Sequence, residues 1–372
     1  MIKIGITGSA GFIGSHLYNT IGLTPDRFER VVFDRNCFED PNILDSFVSS
    51  CDVIVHLAAM NRHEDPMVIY QTNLNLVSKL VESLKRVGRK VHLLFSSSTQ
   101  EERANPYGNS KSEGRAQFSA WANETNNCFT GLIIPNVFGP FGQPFYNSVV
   151  ATFCHQVLRK ITPKIDVDGE LKLIYVGELV EKIIECILQK INQHTFLVAH
   201  TATIKVSAIL DLLTRFESDY QQNGILPSIQ NRFEHQLFNT FRCFMDVKNH
   251  YPVKFKVNSD QRGDFVEVIK LNMGGQVSFS TTLAGITRGN HFHTRKIERF
   301  AVIKGKALIQ LRRIGTDEVL DFYLSGEEPA YVDMPIWFTH NIKNIGEEEV
   351  YTIFWINEFY DSNDPDTYFV NV

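Results

Sequence analysis

The sequence predicts an α/β half built on a doubly wound parallel sheet, followed by an all-β half. Three observations carry this. Short apolar runs alternate with amphipathic stretches up to about residue 200, a glycine-rich loop follows the first of those runs, and beyond about Asp246 strand-like runs succeed one another with few helical patterns between them. The chain has 372 residues, room for two domains.

In the first half, strands are expected over 2–7, 31–34, 53–57, 91–96 and 131–134, with amphipathic helices over 69–87 and 111–124. Residues 201–242 read as mostly helical and would complete this domain. In the second half, runs at 265–271, 276–281, 299–303, 307–312 and 350–356 are separated by Gly and Asp turns. That pattern predicts a β-sandwich or barrel of the jelly-roll kind. The boundary falls near 243–246, giving domains 1–243 and 246–372.

Composition is that of a globular protein, 43% hydrophobic and 21% charged, with a net charge of −5. That balance gives no reason to expect nucleic acid as a partner. None of the six cysteines forms a CxxC pair, so reduced thiols and a cytoplasmic setting are expected. No apolar run is long enough to span a membrane, and no signal peptide is apparent.

Thr7-Gly8-Ser9-Ala10-Gly11-Phe12-Ile13-Gly14 stands between the first strand and the first helix. Glycines at 8, 11 and 14 permit a tight turn and a close approach of the helix N-terminus to a pyrophosphate, as dinucleotide binding requires. The second strand ends at Asp34-Arg35. An acid there would bind a ribose 2′-OH and favour NAD; an arginine would pair with a 2′-phosphate and favour NADP. Both readings stand on the sequence.

Tyr107 and Lys111 are four residues apart and share a helix face. A phenol with pKa near 10 needs a neighbouring ammonium to stabilise its anion before it can act as an acid–base group near neutral pH. Leu94-Phe95-Ser96-Ser97-Ser98-Thr99 ends a strand with hydroxyls that can bind a substrate oxygen.

These segments resemble the extended short-chain dehydrogenase/reductase family over residues 1 to about 240. His56-Leu57-Ala58-Ala59, Asn73 and Pro135-Asn136-Val137-Phe138-Gly139-Pro140 also match its pattern. The resemblance implies Ser98, Tyr107 and Lys111 as the catalytic set. It implies cofactor contacts from Gly8, Gly11, Phe12, Ile13, Gly14, Asp34 or Arg35, Leu57, Ala58 and Asn73, with Tyr107 and Lys111 beside the nicotinamide ribose. Asn136, with Tyr146 and Asn147, would bind the nucleotide sugar. Ile133 stands where the family often has Arg. Thr99-Gln100 replaces the Asp-Glu pair of the sugar dehydratases, which argues against dehydration.

In the second half, His291 and His293 are two apart, as on one face of a strand, with Glu298 following and His340 further on. Three imidazoles and a carboxylate suit Zn²⁺, with Fe, Ni, Co or Mn as competitors; the alternative is a set of buried, hydrogen-bonded histidines. The spacing from Gly285 to Gly305 resembles the first cupin motif. Pro335, His340 and Asn344 resemble the second, where Trp337 and Pro329 replace glycines and Trp337 is expected to alter the turn or crowd the pocket. Asp260-Gln261-Arg262-Gly263-Asp264-Phe265-Val266-Glu267 resembles a segment of deoxysugar-nucleotide 3,5-epimerases, which are also cupins.

A reductase fused to a cupin resembles the bifunctional nucleotide-sugar enzymes of capsule and O-antigen synthesis. Asn105-Pro106-Tyr107-Gly108, Tyr146-Asn147-Ser148-Val149 and the tail Asp364-Pro365-Asp366-Thr367-Tyr368-Phe369 share in that likeness. It implies C3 epimerisation of UDP-2-acetamido-2,6-dideoxy-β-L-arabino-4-hexulose in the cupin. Reduction of the C4 ketone with NADPH (or NADH) in the first domain would then give UDP-2-acetamido-2,6-dideoxy-β-L-talose. A homodimer is expected by analogy. The alternative is a monofunctional reductase whose cupin is structural or dimerising.

Overall fold

The structure is a computed structural model that describes every residue except Ala104. By contact the chain forms two compact units, Met1–Thr152 with Ile165–Ser207, and Phe153–Lys164 with Ala208–Val372.

The first unit is built on a fully parallel six-stranded sheet. Its order is β2 (Phe28–Val31), β1 (Ile2–Thr7), β3 (Val53–His56), β4 (His92–Ser98), β5 (Cys128–Ile134), then Gln193–Leu197. The two-residue period of the strands sends alternate side chains to two separate cores. Val53, Val55 and Leu94 join Leu17 and Ile21 of helix α1 (Phe12–Ile21) and the helix Val176–Leu188 on one face. Ile54, Leu93 and Phe95 join α2 (Pro41–Ser50), α3 (Pro66–Val87) and α4 (Pro106–Thr125) on the other. The sheet is therefore doubly wound, and its chain order reverses between β1 and β3. A crevice at the carboxyl ends of the strands follows from that reversal.

Helices α2, α3 and α4 all start the same way. Asp40, Asp65 and Asn105 cap the first free N–H groups with their side chains, and Pro41, Pro66 and Pro106 follow, where a missing N–H costs nothing. The second strand departs from expectation. It ends at Val31, because the Asp34 carboxylate accepts from Asn36 N at 2.8 Å and starts a 3₁₀ turn over Arg35–Phe38.

The second unit holds two five-stranded sheets. One runs Val253–Lys254, Ala330–Met334, Glu298–Lys304, Val350–Ile356, Gln276–Thr282. The other runs Val319–Ser325, Lys306–Arg313, Phe338–Asn344, Thr287–Phe292, Tyr368–Phe369. All their pairings are antiparallel. The expected strand over 265–271 is broken into Gly263–Val266, half of an exposed hairpin with Val257–Asp260, and Lys270–Leu271, which pairs with Ile225–Leu226.

The helices from Ala208 to Arg242 belong to this second unit and not, as the sequence alone predicts, to the unit of the parallel sheet. A buried polar network accounts for it. Arg299 grips Asp333 with two bonds of 2.7 and 2.9 Å, Tyr220 donates to Asp333 at 2.7 Å, and Arg242 donates to the Met334 carbonyl at 2.8 Å. Helical periodicity alone carries no information about such partners. Among the described residues no helix is long and apolar enough to cross a membrane, and all six cysteines are unpaired.

Candidate active site and candidate metal centre

A cavity of about 560 Å³ opens at the carboxyl ends of the parallel strands. Gly8 to Gly14 form one wall. Gly8 has a φ of +77°, and a Cβ on Gly14 would meet the Gly8 carbonyl oxygen at 2.1 Å, so the loop can fold back on the start of α1 only with glycine there. Gly11 caps α1 without a side-chain bond, leaving the first N–H groups of the helix for a ligand.

Ser98, at the end of β4, and Tyr107 and Lys111, on the first turns of α4, line the same cavity, as do Phe12, Ile13, Arg35, Leu57, Asn136, Tyr146 and Asn147. Three expected residues lie outside the lining. The Asp34 carboxylate is engaged with Asn36 N, and Ala58 N donates to Thr7 Oγ1 at 3.3 Å behind the loop. Buried Asn73 is tied to Met60 through N and O, at 2.7 and 3.0 Å, and donates to Ser110 Oγ at 3.0 Å. It thereby links the segment after β3 to α4. Asn61, Phe141 and Gln143 also line the cavity, and nothing in the sequence pattern singled them out. Phe141 could have been suspected, since it sits in a Pro-Phe-Gly segment after a strand.

The electrostatics are set by burial. Lys111 is inside the protein; its Nζ donates to the Ser96 carbonyl at 2.9 Å and sits 5.1 Å from the Phe95 ring centre and 5.8 Å from that of Tyr107. Burial brings its pKa down to about 8, with Glu101 pulling the other way. Burial, aided by Tyr146, pushes Tyr107 up to about 12. From the spacing of Tyr107 and Lys111, the ammonium is expected to make the phenol more acidic. Desolvation of the phenolate outweighs an ammonium at this distance. The result is a phenol that stays protonated near neutral pH, which suits a proton donor.

The two candidate serines differ in what they are free to do. Ser97 donates its hydroxyl hydrogen to the Glu101 carboxylate, whereas Ser98 Oγ accepts from Gln100 N at 3.2 Å and keeps its hydrogen for another acceptor. Glu101 is in turn held by Arg115 at 2.7 Å.

In the second unit, His291, His293, Glu298 and His340 converge, with one ligand atom from each within 4.8 Å of the others. Glu298 Oε2 lies 3.0 Å from His293 Nε2 and 3.2 Å from His340 Nε2. None of these three buried atoms has a geometrically satisfactory hydrogen-bond partner. Buried polar atoms are normally paired, so lone pairs aimed at one shared point fit a bound cation. His293 Nδ1 lies 2.5 Å from the Asp366 carbonyl and His340 Nδ1 3.2 Å from that of Phe338. A carbonyl only accepts, so each ring carries its hydrogen on Nδ1 and offers Nε2 as a bare lone pair.

His293 stands one residue past its strand, and its ring centre lies 5.1 Å from that of His291. A register shift between Gly289 and His291, with Asn290 at a φ of 60°, precedes the pair. Trp337 does not alter the expected turn: it takes a φ of 62°, the glycine-like conformation. Its N–H donates to the His293 carbonyl at 2.8 Å, and its ring packs on Phe292. The Asp260–Glu267 segment is the exposed hairpin described above, with Arg262 folded back on Asp260 at 2.6 Å.

Comparison with known proteins agrees with both halves. The chain belongs to the NAD dependent epimerase/dehydratase family, whose model matches residues 4–199. Residues 258–368 match the polysaccharide biosynthesis C-terminal domain. The chain is 32% identical to the UDP-2-acetamido-2,6-beta-L-arabino-hexul-4-ose reductase of Pseudomonas aeruginosa, covering 100% of this chain and 99% of that one. It is similar to the crystal structure of the capsular polysaccharide assembling protein CapF from Staphylococcus aureus, with a TM-score of 0.63 and 34% identity over 99% of this chain and 100% of the other. The UDP-glucose 4-epimerase of Thermotoga maritima shares the fold of the first part, with a TM-score of 0.56 and 21% identity over 65% of this chain and 98% of that one.

Proposed function

We propose that the chain is a bifunctional nucleotide-sugar enzyme of capsule or O-antigen synthesis. It inverts C3 of UDP-2-acetamido-2,6-dideoxy-β-L-arabino-4-hexulose in the cupin and reduces the C4 ketone in the first unit, with NADPH, to UDP-2-acetamido-2,6-dideoxy-β-L-talose. The observation that carries the reading is the meeting of Ser98, Tyr107 and Lys111 with the glycine loop in one cavity. The whole-length likeness to the Pseudomonas reductase supports the substrate class.

Reduced nicotinamide, when bound, supplies the hydride. Ser98 hydrogen-bonds the ketone oxygen and orients it. Tyr107 donates its phenolic proton to that oxygen as the alkoxide forms, and Lys111 stabilises the phenolate left behind. Because this needs a charged Lys111, the reduction rate is expected to fall as pH rises through about 8. Arg35 lines the cavity and Asp34, one of whose oxygens accepts from Asn36 N, does not, which favours a 2′-phosphate and hence NADPH. Loss of one charge-assisted contact of this kind costs about 1.5–3 kcal/mol. Arg35→Ala should therefore raise KM for NADPH about 10–100-fold and leave that for NADH nearly unchanged; equal changes for both would contradict this.

The C3 proton lies next to the C4 carbonyl, so its removal leaves an enolate. His291, His293, Glu298 and His340 would hold a divalent metal, Zn²⁺ by their chemistry, which supplies Lewis-acid stabilisation of negative charge. A second reading is favoured by the Pseudomonas relative, whose name describes reduction alone: there the cluster only braces the barrel. Incubation of the 4-keto sugar nucleotide in D₂O decides between them. Deuterium at C3 without NADPH supports epimerisation, and NADPH oxidation supports reduction. Oxidation with no C3 exchange would leave the monofunctional reading.

A further inference from the structure

We infer that the C-terminal tail is the clamp of the metal centre, with Asp366 as its positioning residue; this rests on the reading of the histidine cluster as a metal site. The segment His291–Glu298 contributes three of the four ligand residues, and the tail is bound along most of its length. Tyr368 and Phe369 form the edge strand of the sheet, pairing with Phe292 and His291, 76 and 78 positions earlier in the sequence. Between the ligands the chain makes a turn, and there Asp366 takes over.

Asp366 is 3% exposed and adopts a φ of 42°, in the left-handed region. Its carboxylate accepts from Thr294 N and Arg295 N, each at 3.0 Å, from Lys296 N at 3.0 Å, and from Thr294 Oγ1 at 2.6 Å. These are the successive backbone donors of the turn that separates His293 from Glu298. The same residue's carbonyl accepts from His293 Nδ1. One residue thus fixes the tautomer and ring orientation of a ligand and the shape of the turn that sets the distance to the next. Lys296 Nζ reinforces the hold by donating to the Pro365 carbonyl at 2.7 Å, whereas the Arg295–Asp364 pair at 2.8 Å is solvent-exposed and adds little.

Groups that orient metal ligands in this way change affinity by about 10–100-fold when removed. The carboxylate reaches the metal only through the turn, so its loss should weaken binding without changing stoichiometry. The experiment measures zinc affinity of the full chain by competition with a chromophoric chelator, and the ligand-field spectrum of the cobalt-loaded protein. Three variants are compared with the wild type. Asp366→Ala should bind zinc 10–100-fold more weakly, at one ion per chain, with an altered cobalt spectrum. Asp366→Asn keeps one acceptor oxygen and should fall between. Asp364→Ala, whose side chain is two-thirds exposed, should stay within about twofold of wild type. If Asp366→Ala misfolds, the Asn variant carries the test. Wild-type affinity and spectrum in both Asp366 variants would overturn the inference alone. A wild-type chain that takes up no divalent metal would overturn the metal reading and this inference together.

Discussion

Replacing Tyr107 by Phe is expected to lower the rate of ketone reduction about 100–10,000-fold, the range ascribed to a positioned general acid. The substitution removes one oxygen from a residue on the second position of α4, whose start is fixed by Asn105 and Pro106, so the helix and the cavity wall remain. NADPH binding, read by fluorescence titration, should change little, because the glycine loop and Arg35 are untouched. The deficit therefore belongs in kcat and not in the cofactor KM. A Phe variant with full turnover would mean that another group, Tyr146 or Ser98, delivers the proton.

The second large effect concerns the histidine cluster. Stripping the metal with a chelator, or replacing Glu298 by Ala, should slow deuterium uptake at C3 at least about 100-fold, because Lewis-acid stabilisation of an enolate is worth several kcal/mol and each 1.36 kcal/mol is tenfold in rate. Reduction of the ketone already inverted at C3 should persist, since Ser98, Tyr107 and Lys111 belong to the other compact unit. Chelation that lowers only the melting temperature, with C3 exchange intact, would assign the metal to bracing the barrel.

Much of this was legible from residue order alone, for identifiable reasons. Parallel strands buried on both faces stand out as apolar runs, so β1, β3, β4 and β5 fell where expected. The glycine loop, Tyr107 with Lys111, and the four ligand residues are short-range or strongly patterned, and the fold brings each set together. What failed depends on partners distant in the chain. The helices from Ala208 to Arg242 follow the β-rich unit because Tyr220 and Arg242 bond to residues around Asp333, some ninety or more positions on. The Asp34 carboxylate lies outside the cavity lining with one oxygen on Asn36 N, which residue order does not show, and Asp366 lies within a recognised tail motif with no sign of what it holds. The pKa of Tyr107 could not be read from sequence either, since it depends on how completely water is excluded.

The most direct test of the account uses NADPH carrying deuterium on the transferable position of nicotinamide C4, supplied with the 4-keto UDP-sugar. The account predicts one deuterium at sugar C4 for each NADPH oxidised, at a rate that collapses in the Tyr107→Phe variant. NADPH left unoxidised by the wild-type chain, or oxidised without label reaching the sugar, would contradict it.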